Sequence, residues 1–206
     1  MIIAIDGAST DQSVALAAPD GELVAEDTWT SARRQSAELL PRILAMLGDR
    51  SLHDTTLVAV GTGPGSFTGL RVAMALAKGL SFGLRVPIIG VPSLGAWLDA
   101  EPDAAAAVGR AGARDAYLLG RGDATPRIAD RDALSGLGIV VAAGDLAAAF
   151  GLADARRPRG ARSIARRAAE RMRADPAGDD LRTLEPVYLR APRGVEAESM
   201  EPVRWL

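Results

Sequence analysis

The chain is predicted to fold as a two-lobed α/β protein, with a full first lobe and a reduced second one. Three observations predict this. The first hundred residues read as three strands followed by alternating helix and strand. A glycine-rich turn, Gly61-Thr62-Gly63-Pro64-Gly65-Ser66-Phe67-Thr68-Gly69-Leu70-Arg71, joins one apolar run to another. Of the 206 residues, 48% are hydrophobic but only 4% aromatic, so a sizeable core must rest on Ala, Val, Leu and Ile.

The elements follow in order. Ile2 to Asp6 reads as a buried strand and Gln12 to Ala18 as a second. Pro19-Asp20-Gly21 has turn chemistry, proline presetting one angle and glycine supplying the positive one. Glu22 to Trp29 is then a third strand, antiparallel to the second. Ser36 is expected to cap a helix that runs to Leu47 and stops at Gly48. Its apolar positions Leu39, Leu40, Ile43, Leu44, Met46 and Leu47 cover more than the stripe a surface helix needs. Leu57 to Val60 is a strand, Gly69 to Leu84 a helix and Pro87 to Val91 a strand, and Ser93 caps a short helix to Leu98. This order is that of the ribonuclease-H-like half of the actin-like ATPases, which fixes the expected fold class but no function.

Glu101-Pro102-Asp103 and the alanines after it suggest a boundary, giving lobes at 1–100 and 101–206. In the second lobe, Ala113 to Leu119 and Ala124 to Ala129 suit a hairpin, and Gly138 to Ala143 a strand. Asp145 is placed to cap a helix to Phe150. Ser163 to Arg173 is helical, with Ile164, Ala168 and Met172 on one face, and Leu184 to Arg190 is extended. No sequence repeat is visible, only a structural echo between the halves.

Several chemistries are excluded by residue type. Without cysteine there are no disulfides, thiolate metal sites or thiol catalysis. His53 is the only histidine and sits in a loop, so a histidine metal site and a Ser-His-Asp hydrolase both lack their parts. A net charge of -2 favours neither nucleic acid nor membrane. Charge or glycine breaks every long apolar run, so a soluble, cytoplasmic protein is expected. The glycine turn has no lysine for a P-loop and no third glycine for a dinucleotide fingerprint. Two readings of it stay open: a rigid turn that packs a helix on a sheet, or a contact for an anion or partner. Asp6 ends the first strand where actin-like ATPases place magnesium. The bland reading, a strand-end carboxylate bonded to nearby backbone, is preferred because no second phosphate loop follows residue 100. The arginines from Arg156 to Arg173 read as a solvated face before a phosphate-binding one.

Gly69, Ala73 and Ala77 fall four apart on the second helix, and Ala75 and Gly79 add another small-residue line. With the over-apolar first helix, this suggests helix packing against another subunit.

The residues Ile5-Asp6, Ser13 to Leu16, Ser36-Ala37-Glu38-Leu39-Leu40-Pro41, Gly61 to Arg71, Ala77-Lys78-Gly79-Leu80 and Gly90-Val91-Pro92-Ser93-Leu94 resemble the TsaB (YeaZ) family, and Pro186 to Arg190 resembles its carboxy-terminal signature. The likeness is dense over the first 95 residues and thin beyond. It implies an actin-like, two-lobed, non-catalytic relative of the TsaD transferase, which places threonylcarbamoyl on adenosine 37 of tRNAs reading codons that begin with A. Implied partners are a TsaD-type transferase, a TsaE-type ATPase in a larger complex, and a second copy through the same helices, with tRNA met mainly indirectly. The implied interface is Leu39, Leu40, Ile43, Met46, Leu47, Gly69, Leu70, Ala73, Met74 and Ala77. No resident cofactor or metal is implied, but some members hold nucleotide near the interface, which here puts Asp6, Ser9, Gly63, Gly65 and Ser66 beside it. The alternative from the same fold is an actin-like ATPase or small-metabolite kinase that uses Asp6. Gly7 stands where the family usually has threonine, and Gln35 where it often has histidine.

Overall fold

The computed structural model describes residues 1–31, 34–112 and 114–189. The first sheet contains β1 (Ile2–Asp6), β2 (Asp11–Ala17), β3 (Leu23–Thr30), β4 (Leu57–Gly61) and β5 (Ile88–Val91), in spatial order β3-β2-β1-β4-β5. The first three strands are antiparallel neighbours, while β4 and β5 run parallel to β1. The strands β1, β2, β4 and β5 are buried along their whole length, as continuous apolar runs covered on both faces require.

One face of this sheet carries α1 (Gln35–Leu47) and α2 (Phe67–Leu84), which seal a core with Ile3, Ile5, Val14, Leu16, Val58 and Val60. The helix α3 (Ser93–Ala100) follows β5 and leads into the second sheet. That sheet contains β6 (Ala106–Arg110), β7 (Ala116–Gly120), β8 (Arg127–Ala129), β9 (Val140–Ala142) and β10 (Ala155–Arg156), ordered β10-β9-β6-β7-β8. Its pairing repeats the first sheet strand for strand. β7 and β8 are the antiparallel neighbours, and β9 and β10 run parallel. The echo between halves is therefore a full repeat of topology without a repeat of sequence. α4 (Gly144–Phe150) covers one face of the second sheet. The other face, with Ala107, Tyr117, Leu119 and Val141, packs on Leu94, Trp97 and Leu98 of α3.

The last helix, α5 (Gly160–Ala174), belongs by sequence to the second half but packs on the free face of the first sheet. Its Ala161, Ile164, Ala165, Ala168 and Ala169 meet Ile2, Ala4, Ala15, Ala17 and Ile89. The first lobe is thus a three-layer sandwich whose third layer comes from the far end of the chain.

Several elements differ from the sequence expectation for identifiable reasons. The alanines after Asp103 lead into β6, a strand that the sequence does not signal, since alanine is tolerated wherever a strand is covered on both faces. Ser36 does not cap α1, which begins a residue earlier, after Arg34, without a side-chain cap. Ser93 does not cap α3; its hydroxyl turns back toward β1 and β4. Asp145 does not cap α4 either, because its carboxylate crosses to Thr10 and Arg110. The stretch from Leu184 forms no strand among the described residues, and Arg190 lies outside them, as does Ala113 of the expected hairpin.

Candidate functional site

The parallel neighbours β1 and β4 end side by side, with Asp6 at the carboxyl end of β1. There Asp6 is only 3% exposed. Its Oδ1 accepts from Ser93 Oγ (2.9 Å) and Ala8 N–H (3.2 Å), and its Oδ2 accepts from Trp97 Nε1 (2.5 Å). Gly160 at the start of α5 closes over the group. A Cβ there would collide with Asp6 Oδ2 and lie 2.8 Å from Trp97 Cδ1. Burial raises the Asp6 pKa above the ordinary carboxylate value against the pull of those three donors. Both oxygens are engaged by the chain's own groups. Asp6 therefore bonds two side chains besides the backbone contact expected of a strand-end residue.

Adjacent groups tie the two lobes together. Ser9 is buried and donates to Asp11 C=O (2.7 Å). Thr10 Oγ1 donates to Asp145 Oδ1 (2.6 Å), and Asp11 Oδ2 accepts from the Gly144 N–H (3.1 Å). Burial works against the Asp145 charge, but the bonds from Thr10 and Arg110 outweigh it and hold its pKa below normal.

The glycine turn is a packing hub. Gly63 has φ +90° and its N–H donates to Ser93 Oγ (3.1 Å). Gly65 lies so close to Ala8 that any Cβ would strike its carbonyl, and the Ser66 N–H donates to that carbonyl (2.7 Å). Ser66 Oγ then caps α2 through the Gly69 N–H. Gly7 and Gly69 need each other's missing side chains, since a Cβ on Gly7 would sit 2.5 Å from Gly69 O. These contacts supply the first reading of the turn, close helix-on-sheet packing. They also give a steric reason for Gly7 in place of a threonine.

The helix pair separates the expected interface residues into two groups. Leu39, Ile43, Leu47, Leu70, Ala73, Met74 and Ala77 are buried core, and Gly69 is buried against Gly7. Ala73 and Ala77 are both 0% exposed, so the face they mark packs against the chain's own sheet. Leu40 and Met46 are half-buried at the margin. The exposed crest is the opposite side: Ala37, Pro41 and Leu44 on α1, and Ala75, Gly79, Phe82 and Gly83 on α2. Phe82 is 77% and Leu44 46% exposed. Nothing lies within 4 Å above Gly79 or Gly83. The second small-residue line, Ala75 and Gly79, is the one that faces solvent. Phe82 was the residue that spacing alone left out, although it falls opposite Ala73 on the helix.

The arginines of α5, and Arg159 just before it, are largely spent inside the molecule. Arg159 and Arg162 share Glu26, Arg166 and Arg167 share Asp99, and Arg171 pairs with Asp179. A groove of about 480 Å³ lies by the α2–β5 turn, away from Asp6. Among the described residues there is no group of three or more His, Cys, Asp or Glu that could hold a metal ion, and no helix long and apolar enough to cross a membrane.

Comparison with known proteins adds the following. A family model described as TsaD: tRNA N6-adenosine threonylcarbamoyltransferase matches residues 29–125. The chain is 40% identical over 103 residues to the tRNA threonylcarbamoyladenosine biosynthesis protein TsaB of Escherichia coli, covering 47% of this chain and 44% of that one. It is 34% identical over 95 residues to the protein of the same name in Bacillus subtilis, covering 45% and 41%. The matched stretch thus spans less than half the length of either curated relative. Among solved structures, YeaZ from Pseudomonas aeruginosa superposes with a TM-score of 0.69 at 21% identity, over 91% of this chain and 99% of that one. The architecture is therefore the α/β actin-like, ribonuclease-H-like fold.

Proposed function

We propose that this chain is a member of the TsaB (YeaZ) family and takes part in tRNA threonylcarbamoyladenosine biosynthesis as the non-catalytic partner of a TsaD-type transferase. In this reading the transferase modifies adenosine 37 of tRNAs that read codons beginning with A, and this chain makes it active by docking. The crest of α1 and α2 is the docking surface, with Leu44, Ala75, Gly79, Phe82 and Gly83 at its centre. The observation that carries the reading is that crest: a large aromatic left 77% exposed beside a line of small residues with open space above its glycines. The engagement of Asp6 by Trp97, Ser93 and Ala8 supports an accessory role over the kinase alternative, because an ATPase would need that carboxylate free to position magnesium. A TsaE-type ATPase joining the complex, a homodimer through the same crest, and a nucleotide near the interface remain parts of the same proposal.

The test is co-purification of the tagged chain with its cognate transferase. Ala75→Arg and Phe82→Asp alter exposed positions and leave the fold intact while abolishing capture. Wild-type capture by both variants would place the contact elsewhere.

A further inference from the structure

We propose that the amino-terminal end of α2 and the strap formed by residues 175–189 make a second contact patch, which receives an acidic, partly apolar segment of the partner with Arg71 as its anchor. The inference rests on the docking reading above and extends it to a part of the molecule that neither helix pattern reveals.

The strap runs along the open edge of the first sheet. The Asp179 N–H donates to Ile88 C=O (2.8 Å), and its Oδ2 accepts from the Gly90 N–H (2.7 Å). Arg171 holds the same carboxylate at 2.6 Å. Leu184 packs so closely on Gly90 that a Cβ there would lie 2.6 Å from its Cδ1. The Val187 N–H then donates to Thr62 C=O (2.8 Å) at the entry to the glycine turn. This leads the chain to the first turn of α2, where Tyr188 meets Phe67 with ring centroids 5.2 Å apart.

Arg71 lies between these rings. Its guanidinium carbon is 3.9 Å from the Phe67 centroid, and its Nε donates to Tyr188 Oη (3.1 Å). One face and one edge of the guanidinium are therefore fixed, while Arg71 itself is exposed. Among the described residues no carboxylate pairs with it, whereas Arg159, Arg162, Arg166, Arg167 and Arg171 each have one. A guanidinium held in a fixed orientation with free donors suits a carboxylate, which it binds as a planar fork with little ordering cost. Phe67 beneath it, and Val187 and Leu189 on either side of Tyr188 in the strap, are all more than a third exposed. Arginine on aromatic rings inside an apolar rim is the composition of an interface hot spot. It suits an acidic protein segment better than a polyanion, because apolar side chains next to the partner's carboxylate would cover those exposed residues, which a phosphate backbone cannot do.

The experiment measures affinity of the full chain for the cognate TsaD-type transferase by calorimetry at low and high salt, with thermal unfolding of each variant as the fold control. Arg71→Ala is expected to weaken binding about tenfold, and Arg71→Glu and Leu189→Asp to weaken it further. The gap between wild type and Arg71→Ala should narrow as salt rises, as an ion pair demands. If the Arg71 variants bind like wild type while Phe82→Asp abolishes binding, the second patch is refuted and the docking crest stands. If Phe82→Asp and Ala75→Arg bind like wild type, the docking reading itself has failed, whatever Arg71 does. Binding of tRNA by the isolated chain that is lost in Arg71→Ala would also overturn the proposal, by giving the guanidinium to phosphate.

Discussion

Two glycine-to-alanine substitutions on helices should shift stability in opposite directions, and the structure supplies both magnitudes. At Gly160 the new methyl would strike Asp6 Oδ2 and lie 2.8 and 2.9 Å from Trp97 Cδ1 and Nε1. Overpacking a tight site costs about 1–3 kcal/mol. Pushing the indole off the carboxylate removes a hydrogen bond to a charged group, which is worth about 1.5–3 kcal/mol. The two effects overlap, so the net loss is about 2–5 kcal/mol. For a chain of this size each kcal/mol moves the melting midpoint by about 2–4 °C, so Gly160→Ala should melt roughly 4–20 °C lower. At Gly79 nothing lies within 4 Å of the added methyl. There alanine contributes its helix propensity, about 1 kcal/mol, and Gly79→Ala should melt about 2–4 °C higher. Thermal unfolding followed by far-ultraviolet circular dichroism reads both. A midpoint for Gly160→Ala equal to or above wild type would refute the seating of α5 on Asp6 and Trp97.

Two further outcomes follow from burial. Ala73→Arg places a charge at a fully buried site between α2 and the sheet, so it should unfold the protein rather than remove a partner from a folded one. A soluble Ala73→Arg monomer with native circular dichroism would contradict that. Asp6 titrates at a higher pH in the folded protein than in the unfolded chain, where its pKa is about 3.9. The folded state therefore binds more protons across that interval. The stabilisation from this group is complete below about pH 3.9 and is lost as pH rises through the folded pKa. The carboxylates held below their ordinary pKa, such as Asp145, act in the opposite direction in both proteins, so the stability of wild type minus that of Asp6→Asn, read by denaturant unfolding, should fall over that range, and parallel profiles would be the refuting result.

The first lobe was legible because its strands are apolar runs between glycine and proline turns, and its helices repeat at three and four residues. β6 was not, because alanine carries no strand signal and only coverage by α3 and α4 on opposite faces makes those residues a strand. The caps were misassigned for a shared reason. Ser93 and Asp145 fall in the first turn of their helices, one and two residues past the cap position, and each has a partner from a distant segment, Asp6 in one case and Thr10 in the other, that local spacing does not encode. Asp6 was recognised as a key position from its place at a strand end. Trp97 and Gly160, which determine its surroundings, lie 91 and 154 residues further on, and no motif links them. On α2 the periodicity gave two lines of small residues but not which of them faces the sheet. Only the position of the sheet decides that Ala73 and Ala77 are interior and that Ala75 and Gly79 are not.

The return of α5 to the first sheet sets an order on how the molecule is made. During synthesis, Ile2, Ala4, Ala15 and Ile89 emerge long before the residues that shield them, Ala161 to Ala169. The amino-terminal lobe cannot settle while the nascent chain is short, and its inner surface stays wet until residue 174 has left the ribosome. Interruption of translation after the first hundred codons would release a sheet sheltered on one side only, a species prone to stick to its neighbours.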